Sequence, residues 1–247
     1  MKKRFLCLLL ILVMTLSLLP TAVLAEDGSS ENKTFATLEK GKTYYFDLSG
    51  VGIPKPDSGY NDKLPDTSLR YVPFTYAGIL AGSLSGKDRE LFHWTSKTTV
   101  ETGRWPLFIA DYNISQVSWN DLNAKDLIYN KPYESNGVAY TLRAPSGNYD
   151  ENIVKFSIHV CERGIMYDET RLKVDNSGYF WGQDYRAVNS RAVILDSANR
   201  GLQATEPIGN STIYYRPVLQ PKDWNEKTLH VVTLKVNGVE YNVVAGD

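Results

Sequence analysis

Cysteine is almost missing from this chain. Of its two, Cys7 lies in an apolar leader and only Cys161 follows, so no intrachain disulfide can form after the leader is removed. The fold must rest on burial, which a chain of this size can supply. Cys161 ends an alternating apolar run and reads as a small core residue rather than a thiol activated by His159. Histidine is equally scarce. His93, His159 and His230 stand singly, without the i, i+4 spacing of a helical metal pair, and no metal or other cofactor is expected. Basic blocks and basic helices are absent after the leader, which excludes nucleic acid and anionic membrane surfaces as primary partners. Gly-x-Ser-x-Gly, His-Glu-x-x-His and a phosphate-cradling glycine loop are absent too. The 28 acidic residues contain no sequence-local pair set up for glycoside hydrolysis. Asp66, Asp111, Asp121, Asp168 and Asp184 all sit in turn-like or capping contexts.

What the chain does have begins with an export signal. Lys2, Lys3 and Arg4 precede an apolar stretch over 5–19, and Val23-Leu24-Ala25 supplies small residues for a cut ahead of Glu26. Thr15, Ser17 and Pro20 interrupt the run, which falls short of the about 20 apolar residues that a span requires. Cys7 lies too early to be a lipoprotein cysteine. Residues 1–25 are therefore expected to be a signal peptide, and the protein to be secreted or at the cell surface, without membrane insertion after cleavage. Removing 25 of 247 residues leaves 222, with 24 of the 27 bases facing 28 acids, a net charge of −4.

The remainder is β-rich, aromatic and full of turn residues. Strand-like runs are Thr43-Tyr44-Tyr45-Phe46-Asp47-Leu48, Tyr71-Val72-Pro73-Phe74-Thr75-Tyr76, Val138-Ala139-Tyr140-Thr141-Leu142, and residues 153–160 and 213–219. Ser118 reads as an N-cap with Asp121 at the third helical position, opening a helix of about three turns. A second short helix is expected over 87–92. Residues 26–34 are polar and expected to be a flexible leader, and 49–68 form a Gly- and Pro-rich connection. Near the far end, Asn237-Gly238 between two alternating runs is a hairpin signal. That hairpin, over 225–247, either docks on the main domain at 35–224 or opens a further β module. The abrupt ending at Ala245-Gly246-Asp247 favours the second.

Five segments point to a fold. Val117-Ser118-Trp119-Asn120-Asp121-Leu122 and Tyr140-Thr141-Leu142-Arg143-Ala144-Pro145-Ser146 are followed in order by Tyr185-Arg186-Ala187-Val188, Ser197-Ala198-Asn199-Arg200 and Tyr215-Arg216-Pro217-Val218. Over residues 70–220 these resemble the Val-Ser-Trp-x-Asp-Ala, Arg-Leu-Pro-Thr, Arg-Val-x-Arg-Gly, Arg-Ser-Ala-Asn-Arg and Gly-Phe-Arg-Leu-Val motifs of formylglycine-generating-enzyme-like domains. The chain is also similar to exported Firmicute surface proteins of unknown activity. The resemblance implies an α+β, β-rich and loop-rich C-type-lectin-like domain with one or two short helices, here followed by a C-terminal β-hairpin.

It does not carry the chemistry over. Formylglycine-generating enzymes use a copper-binding cysteine pair, and related sulfoxide synthases use three histidines in a separate domain; neither set is present. Tyr214 stands where the family has glycine, and Asn189-Ser190 where it has Arg-Gly. Trp119-Asn120-Asp121 matches the calcium site of animal C-type lectins, but Glu206-Pro207-Ile208 and Gln220-Pro221-Lys222 lack the third oxygen-bearing residue of their sugar motif. The region 179–216 remains. By resemblance it forms the exposed face of the fold, and it holds Phe180, Trp181, Gln183, Asp184, Tyr185, Arg186, Asn199, Arg200, Tyr214, Tyr215 and Arg216. The expected ligand-binding residues are Trp181, Asp184, Tyr185, Arg186, Asn199, Arg200 and Tyr214, with no catalytic residue assigned. The competing reading places Trp181 and the tyrosines in the core, with Arg186 and Arg216 on buried carbonyls. The expected function is a non-catalytic binding or surface-display domain for a cell-surface protein or glycan. A divergent hydrolase or oxidase using the same face, or a structural spacer, are the alternatives.

Overall fold

The computed structural model describes residues 26–54, 70–82, 103–145, 178–186, 189–196, 203–236 and 238–245. They form a β-rich α+β arrangement of two sheets. Its strands are β1 (Glu26–Thr34), β2 (Thr43–Asp47), β3 (Tyr71–Gly82), β4 (Gly103–Ala110), β5 (Ser115–Gln116), β6 (Lys131–Ser135), β7 (Val138–Arg143), β8 (Tyr179–Arg186), β9 (Arg191–Asp196), β10 (Gln203–Pro207), β11 (Tyr214–Tyr215), β12 (Val218–Pro221), β13 (Thr228–Val236) and β14 (Val239–Val244). The larger sheet has nine strands in the order β1-β13-β14-β2-β3-β4-β12-β7-β6, and the smaller has five in the order β10-β9-β8-β11-β5. The expected run over 153–160, the second helix over 87–92 and Cys161 lie outside the described residues.

Alternation explains the core. Tyr44 and Phe46 of β2, Val72, Phe74 and Tyr76 of β3, and Phe108 of β4 turn inward. Their rings meet edge to face, Phe46 against Phe74 at 5.6 Å and against Phe108 at 5.2 Å. Trp181, Ile194 and Tyr215 of the smaller sheet join the same cluster, so one core is shared by both sheets, while Val236, Tyr241 and Val243 form a second, smaller cluster. Burial pushes the Tyr44 and Tyr76 hydroxyls up to about 12.

Two expectations about the chain ends change. Residues 26–34 are not a loose leader: they form β1, paired antiparallel with β13 from Ser29↔Thr233 to Thr34↔Thr228. A ladder needs only backbone groups, and polar side chains on the end strand stay in water. The C-terminal hairpin exists, with Val236 opposite Val239 and Gly238 at φ +76°, as a two-residue turn requires. It joins the larger sheet, where β14 runs parallel beside β2 and sets Val243 against Tyr45. A second Asn-Gly turn joins β6 to β7, with Asn136 at φ +52° and Gly137 at φ +64°.

Candidate functional site

The residues that carry the motif pattern are internal. Ser118 caps helix α1 (Trp119–Asn123): its Oγ accepts from the Asp121 amide at 3.1 Å and donates to Asp121 Oδ2 at 2.7 Å. The helix is one turn rather than three, continuing into turns as far as Tyr129. Trp119 is buried and its Nε1 donates to the Gly182 carbonyl at 3.3 Å. Arg143 is fully buried. Its Nη2 and Nε donate to Gln220 Oε1 at 2.9 and 3.3 Å, and its Nη1 to the Ala144 carbonyl at 3.2 Å. Arg216 is equally buried, giving Nε to the Ala110 carbonyl at 2.8 Å and Nη2 to that of Asp111 at 2.9 Å, with its guanidinium 5.7 Å from the centre of the Phe180 ring. It sits where the chain leaves β11 of the smaller sheet for β12 of the larger one, so it staples the crossover to the end of β4.

Of the seven expected ligand-binding residues, the three with described side chains, Trp181, Tyr185 and Tyr214, do not form one cluster. Trp181 is a core residue, wholly shielded from solvent, with Nε1 donating to the Val117 carbonyl at 2.7 Å. Its place on β8 turns the indole toward the space between the sheets, so it presents no ring to a ligand. Phe180, Gln183, Tyr215 and Arg216 are buried too. Asp184 and Arg186 belong to β8, but their side chains lie outside the described part, as do Asn199 and Arg200 altogether.

Tyr185 and Tyr214 sit at opposite ends of β8. Tyr214 pairs with Phe180, and its half-buried ring lies over Gly178, where a Cβ would come 3.2 Å from Tyr214 Cε2. Tyr179 beside it is exposed. Tyr185 lies at the far end, beyond a bulge: the register passes from Trp181↔Ile194 to Tyr185↔Ala192, setting three residues of β8 against Val193 alone. The bulge frees the Gly182 carbonyl for Trp119 and sends the Gln183 amide to the Pro145 carbonyl at 3.0 Å, while Gln183 Nε2 donates to the Ile128 carbonyl at 3.2 Å. Tyr185 is thereby laid on Trp119, ring centres 5.1 Å apart and planes 23° from parallel. Tyr129 also meets Trp119 edge-on at 6.1 Å.

Polar groups border this stack that the sequence reading did not select. Glu206 and Tyr185 both pair with Ala192, from β10 and β8, so they flank it in one row about 10 Å apart, two strand spacings. Asn210 Nδ2 donates to Glu206 Oε2 at 3.4 Å. Exposed Asn120 is tied in through its amide to the Ile208 carbonyl at 3.2 Å. No local motif marks Glu206; the sheet register sets it in the same row as Tyr185.

The titration behaviour is structural. Burial raises the Tyr133, Tyr140 and Tyr215 hydroxyls, partly opposed at Tyr215 by the Arg143 guanidinium. The Tyr215 hydroxyl donates to the Leu127 carbonyl at 3.1 Å and that of Tyr133 to the Asp47 carbonyl at 2.9 Å. Buried Asp111 accepts from Thr75 Oγ1 at 2.6 Å and Thr43 Oγ1 at 3.1 Å. Among the described residues, no three His, Cys, Asp or Glu side chains gather as metal ligands. No protein-family model, curated protein or solved structure matches the chain.

Proposed function

We propose that the protein is exported and acts as a non-catalytic binding domain of C-type-lectin-like architecture, recognising a cell-surface protein or glycan through the surface around Tyr185. The observation that carries this reading is the Tyr185 ring, half-buried and braced on Trp119 next to a bulged strand. A ring held in this way offers flat contact area without having to be ordered on binding. Glu206, Asn210 and Asn120 along its border supply the acceptors and donors that fix a ligand's orientation. Export rests on the basic and apolar pattern of residues 1–25.

The test is a glycan and protein array probed with residues 26–247, repeated with Tyr185→Ala and Tyr214→Ala. Tyr185→Ala is expected to weaken binding at least about tenfold, as loss of an aromatic anchor does. Tyr214→Ala, at the other end of β8, should leave it within about twofold. Binding unchanged by Tyr185→Ala would refute the site, and an array without any ligand would refute the binding role. N-terminal sequencing of protein recovered outside the producing cell should start at Glu26.

A further inference from the structure

We propose that the edge of β13 is a strand-accepting surface, occupied at rest by the protein's own β1 and able to take in its place an extended partner segment bearing side-chain oxygens two residues apart. This surface is separate from Tyr185 and does not depend on it.

The strand β1 is held in an unusual way for a member of a nine-stranded sheet. Ser29, Ser30, Glu31, Asn32 and Thr34 are exposed and Lys33 is half-buried, so the described side chains of β1 add nothing to the core. The core starts one residue later. Phe35 is 1% exposed, and its carbonyl accepts from the Tyr76 hydroxyl at 2.6 Å. Just before it, the Thr34 carbonyl takes the Thr37 amide at 3.0 Å and the Thr37 hydroxyl at 2.9 Å. The chain is thus fixed immediately behind β1. On the other side, β13 is anchored independently, through buried Leu229 and Val231 and through its six pairs with β14. Detaching β1 uncovers a backbone edge and leaves the core closed.

Among the described side chains, what holds β1 beside its ladder of main-chain bonds is the His230 ring. The His230 ring engages Ser30 Oγ through Nε2 at 2.9 Å and Asn32 Oδ1 through Nδ1 at 2.9 Å. Ser30 and Asn32 are two apart and share a strand face, so a single ring reads alternate positions of the strand beside it. In strand addition, main-chain bonds supply affinity and contacts to alternate side chains supply selectivity. His230 provides the second element, and β1 is the template for what it accepts. A partner segment rich in Ser, Thr, Asn or Gln, presented in extended form, satisfies the same two nitrogens. Among the described residues β1 is the end strand of the sheet, so a displacing strand meets no further neighbour.

The experiment uses the mature chain carrying Ser30→Cys and Val232→Cys, which face each other in the register, with Cys161→Ser to leave one thiol pair. The probe is a fluorescent peptide of the sequence of residues 26–34, followed by anisotropy. The reduced protein is expected to bind it. The oxidised protein, with β1 locked in place, should bind at least 10-fold more weakly. A peptide with alanine at the Ser30 and Asn32 positions should bind the reduced form about 10-fold more weakly than the parent peptide. On the unaltered chain, hydrogen exchange should show β1 amides opening at least 10-fold faster than those of β14. Peptide binding that survives the lock, equal affinity for the alanine peptide, or equal protection of β1 and β14 would each overturn the proposal. So would a disulfide forming between chains, which would make a second copy the occupant.

Discussion

Replacing Arg216 probes the crossover between the sheets. Arg216→Met keeps a long apolar stem and removes the guanidinium, leaving the carbonyls of Ala110 and Asp111 without the donors they have at 2.8 and 2.9 Å. A buried acceptor stripped of its donor costs about 1–3 kcal/mol, so the pair amounts to about 4 kcal/mol. For a chain of this length that corresponds to a fall in Tm of roughly 8–16 °C. Arg216→Lys retains the charge but, as a point donor without a planar fork, restores one bond at most and should lose about 2 kcal/mol. Urea unfolding followed by tryptophan fluorescence on residues 26–247 measures both, provided that the slope stays constant across the variants. Losses below about 1 kcal/mol in both variants, or Lys behaving as Arg, would show that the guanidinium does not hold the two sheets in register.

Trp181→Ala should cost about 3–5 kcal/mol, because the indole is fully buried; a loss near zero in thermal unfolding would return Trp181 to the surface. Gly178→Ala places a methyl 3.2 Å from the Tyr214 ring at a φ of +155°, and should cost about 1–3 kcal/mol. Tyr214→Ala in the same chain should recover only the steric part, as a comparison of unfolding midpoints will show. Burial holds Tyr44 and Tyr76 neutral up to about 12, against 10 in an unfolded chain. Their contribution is complete below pH 10 and is lost as pH rises from 10 to about 12. Ultraviolet titration of phenolate should therefore show a late-ionising class that appears together with alkaline unfolding; ionisation of all tyrosines near pH 10 in the folded state would refute this.

Local chemistry was legible where it is self-contained. Ser118 and Asp121 cap a helix with their own atoms, and the turn through Gly238 sets Val236 opposite Val239 as its local signal requires. The β2 and β7 runs alternate strongly enough to be read, and β3 continues beyond the six residues that marked it. Asn136-Gly137 carries the same turn signal as Asn237-Gly238, so β6 was within reach of the sequence. By contrast, β1 could not be read from its own residues, because what makes it a strand is β13, about two hundred residues away. The apolar run over 213–219 is split at Arg216-Pro217 by the change of sheet. At the candidate site, the β8 bulge sets three residues against Val193, a break in the ladder that the strand's own residues do not signal. An aromatic side chain also does not announce its direction: Trp181 turned inward, while Tyr185 stayed half in water. Glu206 falls in the same row as Tyr185 through register alone, both pairing with Ala192.

The larger sheet joins residues from both ends of the chain, with His230 bonded to Ser30 across 200 positions of sequence. Consequently β1 and β2, made first, have no permanent neighbours on one side until β13 and β14 have emerged. Such distant pairing makes folding slow and late.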